Sequence, residues 1–479
     1  MRKAEPFLIA SIMALAAFLR FLDPDRTSLW YDEAVSWQQS SGSFTDMIML
    51  VAGDNYPPLH NVLLWLTMPL IGDGEYALRL PSILMGLLTV WLVYRLGRTL
   101  FAPEAGLLAA FLLAISPFHI WFSTEARMYA VFAAMGLAFL VAAVATLKRP
   151  GWGAFLLTAL FGALFLYTHI YALFSFAAVG LLACVLFLLE RRKGAISEMT
   201  SGGPARLIGA QVLSGLLFLP WLIVLIARTQ DVVDRGFWIA YPNWQFVKVM
   251  ARDMAGSDWA MLLLLACLLI PAIAQLIPRT RGPKNTVAIY GSWPFWLLAS
   301  FAFGALIIAY LLSVTVQPIL FDRYLIAAWP AFLLLAAACI RKVSCRILPL
   351  AVAASAVVLL LSSLQFTLFY KVRPDWRGVT AHFHEQGQKG EKIYLFKPFA
   401  APALHYYVRE DDRVQLVDPN TPFPDASEAG RLWLMLVHSS RAEMTDVEKN
   451  LPQGMKKTEE WRGFGWGESG LTLQLHEMQ

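Results

Sequence analysis

The chain has 479 residues, 58% of them hydrophobic and only 15% charged, with a formal net charge of +5. That composition is too apolar for an ordinary soluble protein, and the positive charge forms no basic stripe or nucleic-acid-binding motif, so nucleic acid is excluded as a partner. The four cysteines, Cys184, Cys267, Cys339 and Cys345, lie in apolar segments or beside them, which predicts neither a structural disulfide nor a CxxC metal site.

Apolar blocks close to the 20 residues that span a bilayer as a helix recur along the chain. They cover 6–22, 81–99, 104–120, 128–147, 154–168, 171–189, 206–227, 259–278, 290–313, 323–340 and 347–369, about eleven predicted spans. The first block lacks a small-residue cleavage site and runs directly into Asp23 and Pro24, so it reads as an uncleaved helix and not as a signal peptide. A further run, 58–71, is short and starts at a prolyl pair, which predicts an interfacial or re-entrant segment. Basic residues gather in alternate loops: Arg2 and Lys3, Arg95 and Arg98, Lys148 and Arg149, Arg191, Arg192 and Lys193, then Arg279, Arg281 and Lys284, then Arg341, Lys342 and Arg346. The positive-inside rule places these in the cytoplasm. The 23–80 loop, the 121–127 and 314–322 turns, the 228–258 loop and the tail then lie outside.

Residues 371–479 change character. Short apolar runs, "KIYLF" at 392–396, "RLWLMLV" at 431–437 and "LTLQL" at 471–475, alternate with helix-like segments such as 376–388 and 441–450. This predicts a small α/β domain after a transmembrane domain over 1–370. No P-loop, dinucleotide fingerprint or fixed-period repeat is present.

Transporters carry ionisable residues in mid-span. Here the spans are nearly free of them, and charge collects at their outer ends instead. "SLWYDEAVSW" at 28–37 places Asp32 and Glu33 between tryptophans that share a helical face. A carboxylate held at that interface is partly desolvated and suits general-base work. The bland alternative is a pair of solvated loop acids. "GDNYPPLHNVLLW" at 53–65 supplies Asp54 and Asn55, as well as His60, which reads as an interfacial polar residue. "STEARMYA" at 123–130 supplies Glu125, Arg127 and Tyr129 in a tight turn. "YTHIYALF" at 167–174 supplies His169, and "QPILFDRYLIAAWP" at 317–330 supplies Asp322 and Arg323. Each arginine could be a snorkelling anchor. Two on one face also suit an anionic headgroup, because a guanidinium binds phosphate bidentately and keeps its proton.

In this order the motifs resemble glycosyltransferase family 39, which includes protein O-mannosyltransferases and lipid A aminoarabinose transferases. The resemblance runs over most of 5–370 and is densest at 28–130. It implies a polytopic α-helical GT-C fold and transfer of a sugar from a polyprenyl-phosphate donor to an acceptor hydroxyl outside the cytoplasm, usually with inversion. It further implies that Asp32 is the catalytic acid of the first outer loop, with Glu33 beside it, and that Glu125, Arg127 and Tyr129 match the later turn; Asp32, Glu33 and Glu125 are the catalytic candidates. Direct displacement needs one base near the acceptor proton and cations for the departing phosphate, a role for Arg127 and Arg323. Asp54, Tyr129 and His169 join them as substrate-binding candidates. The chain is bacterial in style, so the expected carrier is undecaprenyl phosphate and the expected location the inner membrane. Asp32, Asp54 and Glu125 are hard-cation ligands in principle, but the family resembled generally works without a metal, so no cofactor is expected. The acceptor, whether lipid, glycan or protein, is left open. A transporter or flippase of a lipid-linked saccharide is the competing reading.

Overall fold

The computed structural model describes residues 3–54, 56–149, 151–193, 196, 198–235, 239–276, 287–340, 347–369, 373–409, 411–417, 423, 430–463 and 470–478. Arg2, Asn55, Arg279, Arg281, Lys284, Arg341, Lys342, Cys345 and Arg346, named above, lie outside the described residues. The chain divides into two compact units. The first comprises Met1–Leu22, Ile48–Leu63 and Arg79–Phe369, and the second Asp23–Met47, Leu64–Leu78 and Tyr370–Gln479.

In chain order the helices that reach the end of the first unit are α1 (Glu5–Phe21), α2 (Tyr31–Ser40), α3 (Phe44–Ala52), α4 (Leu59–Ile71), α5 (Glu75–Leu100), α6 (Pro103–Ala114), α7 (Pro117–Ser123), α8 (Tyr129–Lys148) and α9 (Trp152–Leu166). They continue as α10 (Ala172–Lys193), α11 (Gly203–Arg235), α12 (Trp244–Ala255), α13 (Asp258–Leu276), α14 (Val287–Tyr290), α15 (Trp293–Thr315), α16 (Ala328–Ile340) and α17 (Ile347–Phe369). Five of them, α5, α8, α10, α11 and α15, are long and apolar enough to cross a membrane, and α6 with α7 makes up to a sixth as a pair bent by 65°. The sequence expectation of about eleven spans is therefore met only in part among the described residues. Two of the expected spans are short: α9 has 15 residues and α16 has 13, so each rises about 20 Å against a hydrocarbon core of about 30 Å.

Helix α8 is the hub of the first unit. Its residues are buried on nearly every side, as expected for a helix that is apolar all round. Phe132 stacks on Phe165 with ring centroids 5.3 Å apart, and Phe165 stacks on Phe301 at 5.6 Å. The outer helices instead leave Leu181, Leu188, Leu216, Ile223 and Ile307 exposed, the pattern of lipid-facing surfaces. Helices α5 and α6 approach closely at Gly97, where an added Cβ would stand 2.6 Å from the Gly106 Cα. Only small residues allow that backbone separation.

The 104–120 block is not one straight helix. Ser116 caps α7, its hydroxyl accepting from the His119 N–H at 3.4 Å, and Pro117 follows at the first helical position. That Ser-Pro pair starts a new helix and ends the old one. The freed carbonyls of α6 are met by Arg20 of α1, which is fully buried: its Nη1 donates to Ala114 O at 3.2 Å and its Nη2 to Leu113 O at 3.4 Å. Its Nη2 also lies 2.6 Å from His119 Nδ1. A cation at a helix C-terminus opposes the negative end of the helix dipole, so Arg20 stabilises the break that leads into the 124–128 turn.

The second unit holds α2, the end of α4, α18 (Trp376–Gln386), α19 (Ala401–Val408), α20 (Arg441–Lys449) and a five-stranded sheet. The strands are β1 (Ile393–Phe396), β2 (Val414–Val417), β3 (Arg431–Val437), β4 (Met455–Gly463) and β5 (Leu471–Met478), in the order β2-β1-β3-β5-β4. β1 is parallel to both β2 and β3, whereas β5 is antiparallel to β3 and β4. Central β1 and β3 are almost wholly buried, which their continuous apolar runs require. The edge strand β4 carries Lys456, Lys457, Glu459 and Glu460 on exposed positions, charges that discourage pairing with another chain.

Candidate functional site

In the first unit, four segments far apart in sequence meet. Helix α8 begins at Tyr129, so the turn before it carries Glu125 and Arg127, both buried. The turn is tight: the Arg127 N–H donates to Glu125 O at 2.7 Å, and Ser82 Oγ donates to Arg127 O at 3.3 Å. The Arg127 guanidinium lies over the Tyr56 ring, 5.3 Å from its centroid. The Tyr56 hydroxyl is 3.0 Å from that of Tyr324. Tyr324 belongs to a single 3-10 turn, Asp322–Leu325, in which the Asp322 carboxylate accepts from the Arg323 N–H at 2.7 Å. The Arg323 guanidinium lies over the rings of Phe321, Tyr324 and Tyr129, at 5.1, 5.6 and 5.9 Å. Aromatic faces of this kind hold a guanidinium by its flat side.

His169, between α9 and α10, stands among these groups. Its ring centroid is 4.9 Å from Tyr324, 5.0 Å from Phe132 and 5.3 Å from Tyr56. The Tyr171 N–H donates to its Nδ1 at 3.1 Å, which leaves the ring proton of the neutral form on Nε2. Burial, with the charges of Arg127 and Arg323 adding to it, lowers its pKa from 6.5 to about 3. The Tyr56 phenol is raised well above its usual value by burial and then by Tyr324 and Tyr129, with Arg127 opposing. The cluster therefore presents two guanidinium groups, phenol hydroxyls and a neutral imidazole. Such a set can hold an anionic phosphate.

Arg127, Tyr129, His169 and Arg323 are thus brought together. Glu125 shares the turn of Arg127, and Asp54 is half-buried just after α3. Tyr56 and Tyr324 were not singled out from the sequence, although both lie inside motifs quoted above; their position beside arginine motifs at span ends was the available signal.

Asp32 and Glu33 belong to the second unit, in the first turn of α2. They differ sharply. Asp32 is half-buried. Glu33 is fully buried, accepts from Arg373 Nη1 at 2.6 Å and accepts from the Trp30 N–H at 3.3 Å. Its carboxylate joins the start of α2 to the segment before α18. Ser28 does the same, donating to Pro374 O at 2.8 Å and accepting from the Trp376 N–H at 3.1 Å. Glu75 receives Tyr407 Oη at 2.5 Å and Arg377 Nε at 3.1 Å, and the Tyr407 hydroxyl in turn accepts from the Leu29 N–H at 2.6 Å. The base of α2 is thereby held rigidly, with Asp32 on its first turn. Among the described residues, no group of three His, Cys, Asp or Glu side chains is arranged to hold a metal ion.

Residues 55–201 match the family model described as dolichyl-phosphate-mannose-protein mannosyltransferase. The whole structure is similar to that of ArnT from Cupriavidus metallidurans bound to undecaprenyl phosphate, with a TM-score of 0.61, 13% identity and coverage of 97% of both chains. The apo state of the same protein gives 0.61, 14% identity and 98% of both chains. The chain has the GT-C fold. The apo Archaeoglobus fulgidus oligosaccharyltransferase is a more distant likeness, with a TM-score of 0.53, 12% identity and coverage of 93% of this chain and 71% of that one. No curated protein matches the sequence. Over residues 55–201 the family match agrees with the resemblance to glycosyltransferase family 39 read from the motifs.

Proposed function

We propose that the protein is a membrane glycosyltransferase that moves a hexose or pentose from a polyprenyl-phosphate donor to an acceptor hydroxyl on the extracytoplasmic face. The observation that carries this reading is the pair of tyrosine-walled arginines, Arg127 and Arg323, converging in a GT-C fold. The ArnT structure with undecaprenyl phosphate bound supports the choice of carrier. The described basic residues at the ends of α5, α8 and α10, namely Arg95, Arg98, Lys148, Arg149, Arg191 and Arg192, support the orientation.

In the proposed reaction Asp32 takes the acceptor proton as its oxygen attacks the anomeric carbon. The bond from that carbon to the phosphate oxygen breaks, and inversion follows from the single displacement. Arg127 and Arg323 stabilise the charge that grows on the departing polyprenyl phosphate, and His169 and the tyrosines offer it neutral donors. Glu33 is assigned to positioning Asp32 through Arg373 and not to proton transfer. No metal enters the mechanism.

Asp32→Asn keeps shape and removes basicity. Transfer from a synthetic polyprenyl-phosphate sugar should fall by on the order of 10²–10⁴-fold, with donor affinity and thermal stability unchanged. Turnover near wild type would remove Asp32 from the mechanism.

A further inference from the structure

The second unit contains a cavity of about 410 Å³ that the reading above does not use. It lies between the C-terminal end of α2 and the residues that close α4. Its walls include Trp37, Ser40 and Ser41 on one side and Trp65 and Asp73 on the other. We infer that this cavity is a saccharide subsite that holds a sugar ring of the acceptor.

The volume falls in the range of small-ligand pockets, and the lining has the two surfaces that a sugar requires. A pyranose has apolar C–H faces and a rim of hydroxyls. The indoles supply flat apolar walls, and both are held by their edges: Trp37 Nε1 donates to Asp73 Oδ2 at 3.0 Å, and Trp65 Nε1 donates to Gly42 O at 3.2 Å. Pinned aromatic walls of few torsions lose little entropy on binding. The Asp73 carboxylate accepts from Arg409 Nη1 at 2.8 Å, yet about 41% of its side chain is still exposed. It therefore keeps lone pairs for ligand hydroxyls, while Arg409 neutralises its charge. That balance disfavours a cation and favours a neutral polyhydroxyl ligand. An acyl chain would leave the carboxylate without its water and with nothing in exchange. Arg409 also lies 5.0 Å over Trp37 and 4.4 Å over Tyr406, which braces the wall.

The placement deepens the proposed function and rests on it. Trp37 and Ser40 follow Asp32 by five and eight residues on one helix, about 8–12 Å along its axis. The acceptor class is thus a glycan, either soluble or borne on a lipid.

The test uses the full-length protein in phosphatidylcholine nanodiscs. Saturation-transfer NMR with methyl β-maltoside should show the sugar ring protons saturated by the protein. Trp65→Ala and Asp73→Asn should each weaken binding by about tenfold or more, the loss expected when a stacking wall or a hydroxyl acceptor is removed. Asp73→Asn guards against misfolding, because the Asp73–Arg409 pair is half-exposed and adds little stability. Trp152→Ala, an exposed tryptophan elsewhere, should leave binding unchanged. Nanodiscs that contain a glucosyl diacylglycerol distinguish the two sources: competition with methyl β-maltoside identifies a lipid-borne glycan, and its absence a soluble one. No saturation in the wild type, or equal affinity in the cavity variants, would overturn the inference. Release of the donor sugar to water needs no acceptor, so it tests the transferase reading separately. It should be seen in the wild type and in Trp152→Ala alike, and its absence from the wild type would refute the transferase while the binding result stood.

Discussion

Glu33→Gln is the sharpest perturbation of the second unit. The Glu33 and Arg373 side chains are 0% and 6% exposed, and their charged atoms are 2.6 Å apart. The substitution preserves volume and the contact with the Trp30 N–H, but it leaves a buried guanidinium without its counter-charge. Breaking a buried pair in this way costs about 3–5 kcal/mol. Two compact units need not unfold together, so a single melting temperature is the wrong readout. Hydrogen exchange resolved by peptide is the right one. Amides in 28–40 and 373–386 should exchange roughly 10²–10³-fold faster, the equivalent of about 3–4 kcal/mol of local opening, while peptides of α8 stay as in the wild type. The double variant Glu33→Gln/Arg373→Gln removes the orphaned charge and should recover most of the loss. Exchange in both segments within about threefold of wild type would refute the assignment of Glu33 to architecture and return it to the list of acids available for chemistry.

The remaining expectations are simpler. Arg323→Lys keeps the charge and loses the planar fork that three rings embrace, so polyprenyl-phosphate affinity should drop, and Arg323→Ala should lower it further; equal affinities for all three would make Arg323 a snorkelling anchor. His169 has a folded pKa lowered to about 3 from 6.5, so its contribution to stability is complete above about pH 6.5 and declines as pH falls towards 3. His169→Gln should flatten the decline in thermal stability over that interval, and identical slopes would contradict the neutral assignment. For orientation, a cysteine in the 386–391 loop of a cysteine-free variant should react with an impermeant thiol reagent in sealed cells, whereas one at Arg192 should react only after lysis; the reverse labelling would move the proposed chemistry to the cytoplasm.

Much of the membrane part is legible in the sequence because α5, α8, α10, α11 and α15 are each about 20 apolar residues or more, and nothing but a long helix satisfies their backbone in lipid. The break after α6 was within reach, since Ser116-Pro117 is a helix-start signal, but the continuous hydropathy of 104–120 masked it. Helices α9 and α16 look like full-length spans when their flanks are counted, but the helices themselves end at 15 and 13 residues. The partners of Arg20 and Glu33 were out of reach, because Leu113 lies 93 residues from one and Arg373 lies 340 from the other. In the second unit, the apolar runs form β1, β3 and β5, whereas β2 and β4 escaped notice because they lie at sheet edges, where burial does not force an apolar pattern. At the candidate site the charged residues were evident by type, and the tyrosines between them were not, because an aromatic at a span end is ordinary in a membrane protein.

The Glu33–Arg373 pair also imposes an order on biogenesis. Its two halves leave the ribosome 340 residues apart, which at about 5–20 residues per second is roughly 17–70 s. Throughout that interval the loop after the first helix is already made, while everything that will cover Glu33 is still to come. The second unit therefore cannot be completed segment by segment. It closes only when the final quarter of the chain emerges, after all the membrane helices have been synthesised. A nascent chain stalled before Arg373 would carry α2 without its counter-charge, open to the quality-control proteases that survey unfinished membrane proteins.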